Sequence, residues 1–169
     1  MSLVEHSRVI NASIAPTWAA VSRMGAVQDW HPNVSRSLVL TDHDGGVGAS
    51  RRVEFHGGGS VVETVIEESE QQFTAMQLTE SPPLATAVVT IRTKQRSAQS
   101  TEVTFSIDYG LKYGPIGWLL DTFMMKRIFG KAFGMALEGL SYHLETGAQV
   151  TDSIPSAWAS ERPSPAAVR

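Results

Sequence analysis

The 169-residue sequence contains no cysteine, and this absence excludes several classes of site. A disulfide framework, a thiolate nucleophile and a cysteine-ligated zinc or iron–sulfur centre all require that residue. The sequence also has no excess of positive charge: it contains 14 lysines and arginines and 17 aspartates and glutamates, so the net charge is −3. A nucleic-acid partner is therefore not expected.

A continuous apolar segment of membrane-spanning length is missing as well. The longest apolar stretch, residues 116–128, is interrupted by three charged side chains and is too short to cross a bilayer. Residues 1–15 contain Glu5 and Arg8 and no apolar run, unlike a secretory signal peptide. We expect a cytoplasmic protein with no stable membrane insertion, and the sequence leaves open a homodimer.

The distribution of apolar residues predicts one globular domain built largely on a sheet. Apolar residues make up 42% of the chain and charged residues 18%, which is typical of a folded protein. Short segments with strand-like alternation, separated by turns, favour an antiparallel sheet. Seven such segments occur, at residues 3–11, 34–41, 49–56, 61–66, 72–78, 86–93 and 102–109.

Helical patterns lie on both sides of these segments. A short helix is predicted around Pro16 and a second over residues 26–30, before the Pro32 stop. Apolar spacings of three and four predict one long helix over residues 114–146, with Gly130 and Gly134 allowing a bend or close approach. We expect a domain over residues 1–148, followed by an irregular, proline-containing tail over residues 149–169.

Four short motifs connect this pattern to a known superfamily. They are Pro16-Thr17-Trp18, the segment Asp29 to Val34 containing Trp-His-Pro, the pair of segments 47–51 and 59–63, and Tyr113 to Asp121. In this order the sequence resembles the START / polyketide cyclase / Bet v 1-like (SRPBCC) superfamily, in its bacterial polyketide cyclase/dehydrase-like branch. The resemblance covers about residues 3–146.

The resemblance implies an α+β helix-grip fold. In that fold a curved antiparallel sheet of about seven strands surrounds a long C-terminal helix, and two short helices follow the first strand. The sheet and helix separate in the middle and enclose an apolar space, which is the usual setting for a small-molecule site. Superfamily members differ in chemistry, so the fold alone does not assign one activity.

Three functions follow as alternatives. The first is binding of a small, mainly hydrophobic ligand, lipid-like or polyketide-like, in the cavity. The second is a cofactor-independent cyclase or dehydratase acting on an aromatic or polycarbonyl substrate. The third is partner binding through an exposed apolar patch around Trp118 or Trp158, with a merely structural cavity. We expect no cofactor, and no cluster in the sequence has the spacing of a metal site.

Arg51 and Glu63 are the most informative candidates. Arg51 shares a strand face with Val53 and Phe55, so we expect all three to face the cavity. A hairpin turning at residues 57–58 places Glu63 nearly opposite Arg51. The pair either forms a stabilising salt bridge or presents a charge that holds a carbonyl, carboxylate or enolate oxygen of the ligand.

The remaining candidates lie near the cavity ends and on the long helix. Trp30 could cap one end, and His31 could act as a general acid or base, although a lone histidine is more often structural. Tyr109 could offer its hydroxyl to a ligand, shuttle the proton in the cyclase alternative, or be buried with one hydrogen bond. A group of apolar residues on the long helix could either contact the ligand on the cavity wall or pack in the core: Phe123, Met124, Ile128, Phe129 and Phe133.

Overall fold

The structure is a computed structural model and describes residues 2–80, 83–112 and 124–160. The described residues contain a seven-stranded sheet and helices at both ends. The strands are β1 (Ser2–Ile10), β2 (Val34–Val39), β3 (Ser50–Phe55), β4 (Ser60–Ser69), β5 (Phe73–Thr79), β6 (Leu84–Ser97) and β7 (Ser100–Leu111). The helices are α1 (Ile14–Ser22), α2 (Val27–Trp30), α3 (Lys126–Thr146) and α4 (Ser156–Ser160).

All neighbouring strands are antiparallel, as the alternating pattern predicts. Their order is β1-β7-β6-β5-β4-β3-β2, so β1 and β2 form the two edges. The α3 helix packs against β1, β7 and the short helices, and these contacts enclose the core. No helix in the described ranges is long and apolar enough to cross a membrane.

The hairpin of β6 and β7 is longer than the hydrophobic pattern predicts. Beyond the apolar residues, Lys94 pairs with Glu102 and Gln95 pairs with Thr101. These polar cross-strand pairs continue the ladder of backbone hydrogen bonds. The two strands therefore extend past the predicted ranges 86–93 and 102–109, because the alternation in hydrophobicity ends before the pairing does.

The predicted end of the long helix is confirmed at Gly147. This residue has a φ of 74°, which glycine adopts without steric cost, and its N–H donates to the His143 carbonyl over 2.8 Å. The start of α3 is described from Lys126 onward, and the predicted residues 114–123 lie outside the described ranges.

A close approach of α3 to the rest of the fold occurs at Gly139. A Cβ atom there would lie 2.1 Å from the Trp30 carbonyl oxygen and 2.7 Å from Cδ of Pro32. Of the two glycines predicted to allow a bend or a close approach, Gly130 lies close to His6, whose Nε2 would be 3.3 Å from a Cβ atom, whereas a Cβ atom at Gly134 would meet nothing within 4 Å. The absence of a side chain at Gly139 therefore allows α3 to pack directly on the segment around Trp30.

The chain after α3 packs back onto the domain. The Val150 N–H donates to the Asp29 carbonyl over 2.9 Å, and the Val150 side chain is buried. The Trp158 ring lies against Tyr142, with centroids 5.3 Å apart, and beneath the Arg8 guanidinium. The short helix α4 lies within the predicted tail, and the division into a domain over residues 1–148 and a tail stays a prediction.

Candidate functional site

A mainly apolar cavity of about 140 Å³ lies between the sheet and α3. Strands β3 to β7 contribute alternate residues to it, because a period of two places every second side chain on one face. Of the described residues that line it, all but three are apolar, and the exceptions are His31, Arg51 and Glu63. The apolar ones are Val27, Trp30, Val34, Val53, Phe55, Val61, Met76, Leu78, Val89, Ile91, Phe105, Ile107, Phe129, Ala132, Phe133 and Ala136.

The α3 side of the cavity is a single stripe. It consists of Phe129, Ala132, Phe133 and Ala136, whose spacing of three and four residues places them on one helix face. Two alanines in this stripe leave space that larger side chains would fill. The predicted positions of Phe129 and Phe133 on the cavity wall agree with this arrangement.

The expectation that Met124 and Ile128 line the cavity wall is wrong. Their exposed fractions are 45% and 49%, and neither lies among the lining residues. Ile128 immediately precedes Phe129, and one residue turns a helix by about 100°, which moves its side chain off the cavity stripe. Phe123 lies outside the described residues.

Tyr109 does not line the cavity, contrary to its prediction as a site residue. Its exposed fraction is 1%, and its ring packs against Phe129 with centroids 4.9 Å apart. Along β7 the cavity-facing positions are Phe105 and Ile107, and Tyr109 follows on the same face. Phe129 lies against this third position, so the Tyr109 ring belongs to the packed core around the cavity.

The predicted inward orientation of Arg51 is confirmed, and so is its register with Glu63. Arg51 is 4% exposed and is the direct cross-strand partner of Glu63. Its Nε and Nη2 atoms lie 2.6 and 2.5 Å from Oε2 of Glu63. Its Nη1 donates to the Met24 carbonyl over 3.0 Å, and Sδ of Met76 lies 3.9 Å from Nη2. Each guanidinium nitrogen thus already has a partner.

His31 lines the same cavity as this ion pair and is partly buried. Its Nδ1 accepts the Asn33 backbone N–H over 3.2 Å, which assigns the proton of the neutral ring to Nε2. Burial lowers the pKa of His31 to about 4, because loss of water disfavours the imidazolium; Glu63 opposes this effect and Arg51 adds to it. Near neutral pH the ring is therefore uncharged and a donor.

The segment that carries His31 is fixed from several sides. The Trp30 indole N–H donates to the Ala20 carbonyl over 3.0 Å, and its ring meets Phe105 edge-on. Gly139 and Val150 contact the backbone of the same segment. These contacts hold the His31 backbone in place, so the ring is presented to the cavity without reorganisation of the chain.

Sequence reasoning missed the contributions of β5, β6 and the small residues of α3. The sequence signal that could have identified the strand residues is their alternation along β5 and β6, at Met76, Leu78, Val89 and Ile91. Ala132 carries no such signal, because only the docking of the helix shows that it lies over a gap. Among the residues that the structure describes, no three histidine, aspartate or glutamate side chains converge on a metal site.

We expect burial of His31 to make stability fall in acid. Above pH 6.5 the ring is neutral in both states, whereas between 6.5 and about 4 the unfolded chain binds a proton that the folded protein does not. The free energy of unfolding should therefore fall by about 2 kcal/mol over this range on account of His31, since its partly exposed ring keeps some hydration.

Urea unfolding of the protein and of His31→Gln at about pH 7.5 and about pH 4 measures the contribution of His31 to the pH dependence of stability. The parent should lose about 2 kcal/mol more than the variant between the two conditions. An equal loss in both proteins would show that His31 is as well solvated in the fold as in the unfolded chain.

The antiparallel sheet, the long helix and the cavity between them define a START-like helix-grip protein. The chain belongs to the polyketide cyclase / dehydrase and lipid transport family, whose profile matches residues 1–145. The family resemblance in the sequence is thus confirmed. No curated protein matches the sequence.

Solved structures share this fold at low identity. A START superfamily protein from Mycobacterium smegmatis aligns with a TM-score of 0.71 at 15% identity, covering 86% of this chain and 99% of its own. The Zhui aromatase/cyclase from Streptomyces sp. R1128 aligns with a TM-score of 0.69 at 14% identity, covering 85% of this chain and 93% of its own. The di-domain ARO/CYC BexL from the BE-7585A biosynthetic pathway aligns with a TM-score of 0.69 at 15% identity, covering 86% of this chain and 47% of its own. The predicted helix-grip fold is confirmed.

Proposed function

We propose that the protein binds a small, mainly apolar ligand in the cavity between the sheet and α3. The observation that carries the proposal is the cavity itself, whose described lining residues are apolar except for His31, Arg51 and Glu63. Burial of apolar ligand surface supplies the driving force for binding, and a few polar groups fix the ligand's orientation. The family description, which includes lipid transport, supports the same function.

The size of the cavity limits the ligand. Typical ligand pockets measure roughly 300–1,000 Å³, and an engineered apolar cavity of about 150 Å³ holds one benzene molecule. The cavity of about 140 Å³ therefore fits a compound of about one ring. A long lipid chain or a polyketide of several rings would require the space between α3 and the sheet to widen.

We expect Ala132→Phe to abolish binding while the protein stays folded. The added phenyl ring would occupy the space that a one-ring ligand needs, and its burial among apolar side chains should compensate for the change in packing. Toluene is the probe, and calorimetric titration measures its affinity. Ala19→Phe, on the exposed side of α1, is the matched control and should bind toluene as the parent does.

Binding of toluene by Ala132→Phe with unchanged affinity would place the binding site elsewhere. If neither toluene nor phenol binds the parent and the control, the cavity does not bind ligands of this size. Circular dichroism of the two variants shows whether either substitution has altered the fold.

A second candidate is a cofactor-independent cyclase or dehydratase. It is favoured by the convergence of three polar side chains on one apolar cavity and by the likeness to two aromatase/cyclase structures. Neutral His31 would donate its Nε2–H to a carbonyl oxygen and stabilise the developing enolate, whereas its low basicity makes it a weak base near neutral pH. Conversion of a bound poly-β-carbonyl compound, lost in His31→Gln, would distinguish this function from carriage.

The partner-binding alternative has less support. Trp158 packs on Tyr142 and Arg8 and so does not form a free apolar patch, and Trp118 lies outside the described residues. A cytoplasmic location and a homodimer stay predictions from the sequence.

A further inference from the structure

The ion pair in the cavity leaves Arg51 with little capacity for a ligand. Glu63 engages Nε and Nη2, and the Met24 carbonyl engages Nη1. An anionic ligand that bound Arg51 would have to displace the Glu63 carboxylate or lie beside it in an apolar space. Like charges in such surroundings repel strongly, because the effective dielectric is low.

Two other polar atoms of the cavity residues are still available. Both N–H bonds to Glu63 reach Oε2, and no described residue forms a hydrogen bond with its Oε1. No described residue accepts the Nε2–H of His31 either, since the hydrogen bond of that ring to the Asn33 backbone N–H uses Nδ1. One donor and one acceptor therefore belong to residues that line the same cavity of about 140 Å³.

We propose that the ligand is a neutral, one-ring hydroxyl compound of the phenol class, held by the His31 Nε2–H and Glu63 Oε1, and that anions are excluded. This inference rests on the proposed function and names the ligand class of that cavity. A hydroxyl group accepts one hydrogen bond and donates another, so a single oxygen can satisfy both protein atoms. A carbonyl group accepts only, and leaves Glu63 Oε1 without a donor.

The chemistry of the site separates three ligands of similar size. Phenol fits the apolar wall and makes both hydrogen bonds, one of them to a charged acceptor. Toluene fits the wall but leaves both polar atoms unpaired. Benzoate brings a second carboxylate next to Glu63. The charge of benzoate is not compensated, because the guanidinium nitrogens of Arg51 already have partners.

Isothermal titration calorimetry at about pH 7 with phenol, toluene and benzoate tests the proposal. Phenol is neutral at this pH and benzoate is ionised. We expect phenol to bind about tenfold more tightly than toluene, in line with the net value of a hydrogen bond to a charged group. Benzoate should bind at least tenfold more weakly than phenol.

Removal of the Glu63 charge should invert this preference. In Glu63→Gln the phenol affinity should fall about tenfold, whereas benzoate should bind more tightly than in the parent, because Arg51 then carries an uncompensated charge. Glu80→Gln is the matched control: Glu80 pairs with Arg52 away from the cavity, and its loss should leave all three affinities unchanged. The double variant Arg51→Met/Glu63→Leu, which holds neither charge, should bind phenol more weakly than the parent does, because only the His31 Nε2–H remains to hold the hydroxyl group.

The results separate this inference from the function on which it rests. Toluene binding equal to or tighter than phenol binding in the parent would overturn the hydroxyl class and leave an apolar binding site in place. Benzoate binding as tight as phenol binding would overturn the exclusion of anions. If none of the three compounds binds the parent, the proposed function itself is wrong, and the inference with it.

Discussion

Glu63→Leu is expected to lower the free energy of unfolding by about 3 kcal/mol. The substitution leaves the Arg51 guanidinium, which is 4% exposed, without its counter-charge and without the acceptor of two N–H groups. Arg51 cannot reach solvent without leaving the cavity face of β3. The loss should therefore include the desolvation cost of an unpaired buried charge, and chemical denaturation measures it directly.

Two further variants separate this effect from the simple loss of a side chain. Arg51→Met/Glu63→Leu removes both charges and should recover most of the lost stability, because a buried ion pair is often no more stabilising than apolar residues of similar size. Glu80→Leu breaks the more exposed pair with Arg52 and should cost less than about 1 kcal/mol. Additive losses from the two charged positions would contradict a coupled, buried pair.

Gly139→Ala is expected to destabilise the protein by at least about 2 kcal/mol. The new Cβ would lie 2.1 Å from the Trp30 carbonyl oxygen, so either α3 or the backbone of α2 must move. Alanine favours helices over glycine by about 1 kcal/mol, and the steric cost must exceed that gain. Because the displaced segment carries His31, the variant should also bind phenol more weakly.

Gly134→Ala on the same helix provides the control. A Cβ atom at Gly134 meets nothing within 4 Å, so only the gain in helix propensity remains. Thermal unfolding should therefore place Gly134→Ala at or above the parent and Gly139→Ala well below it. Equal effects of the two substitutions would mean that α3 does not approach Trp30 as closely as the structure indicates.

The strand pattern of the fold, and part of its site, could be read from the sequence. Arg51 and Glu63 flank a glycine turn, and the period of two fixes both the face and the register of each. The same rule places Val53 and Phe55 on the cavity face. The end of α3 at Gly147 follows from local chain conformation. All these features depend on residues near one another in the chain.

The features that the sequence did not predict depend on how distant elements dock. Ile128 and Phe129 are both apolar, and only the orientation of α3 on the sheet decides which one reaches the cavity. Tyr109 is excluded because Phe129 packs against it. Gly139 resembles Gly134 in sequence and differs only in what lies opposite. Tertiary contacts determine these differences, and helical spacing alone cannot predict them.

Binding of a small ligand in the cavity between the sheet and α3 is the function proposed for this protein. Nuclear magnetic resonance of the four tryptophan indole N–H signals during a phenol titration tests it most directly. The Trp30 signal should shift in a saturable way, because Trp30 lines the cavity, whereas those of Trp18 and Trp158 should stay in place. A Trp30 signal that does not move, while the others do, would contradict the account.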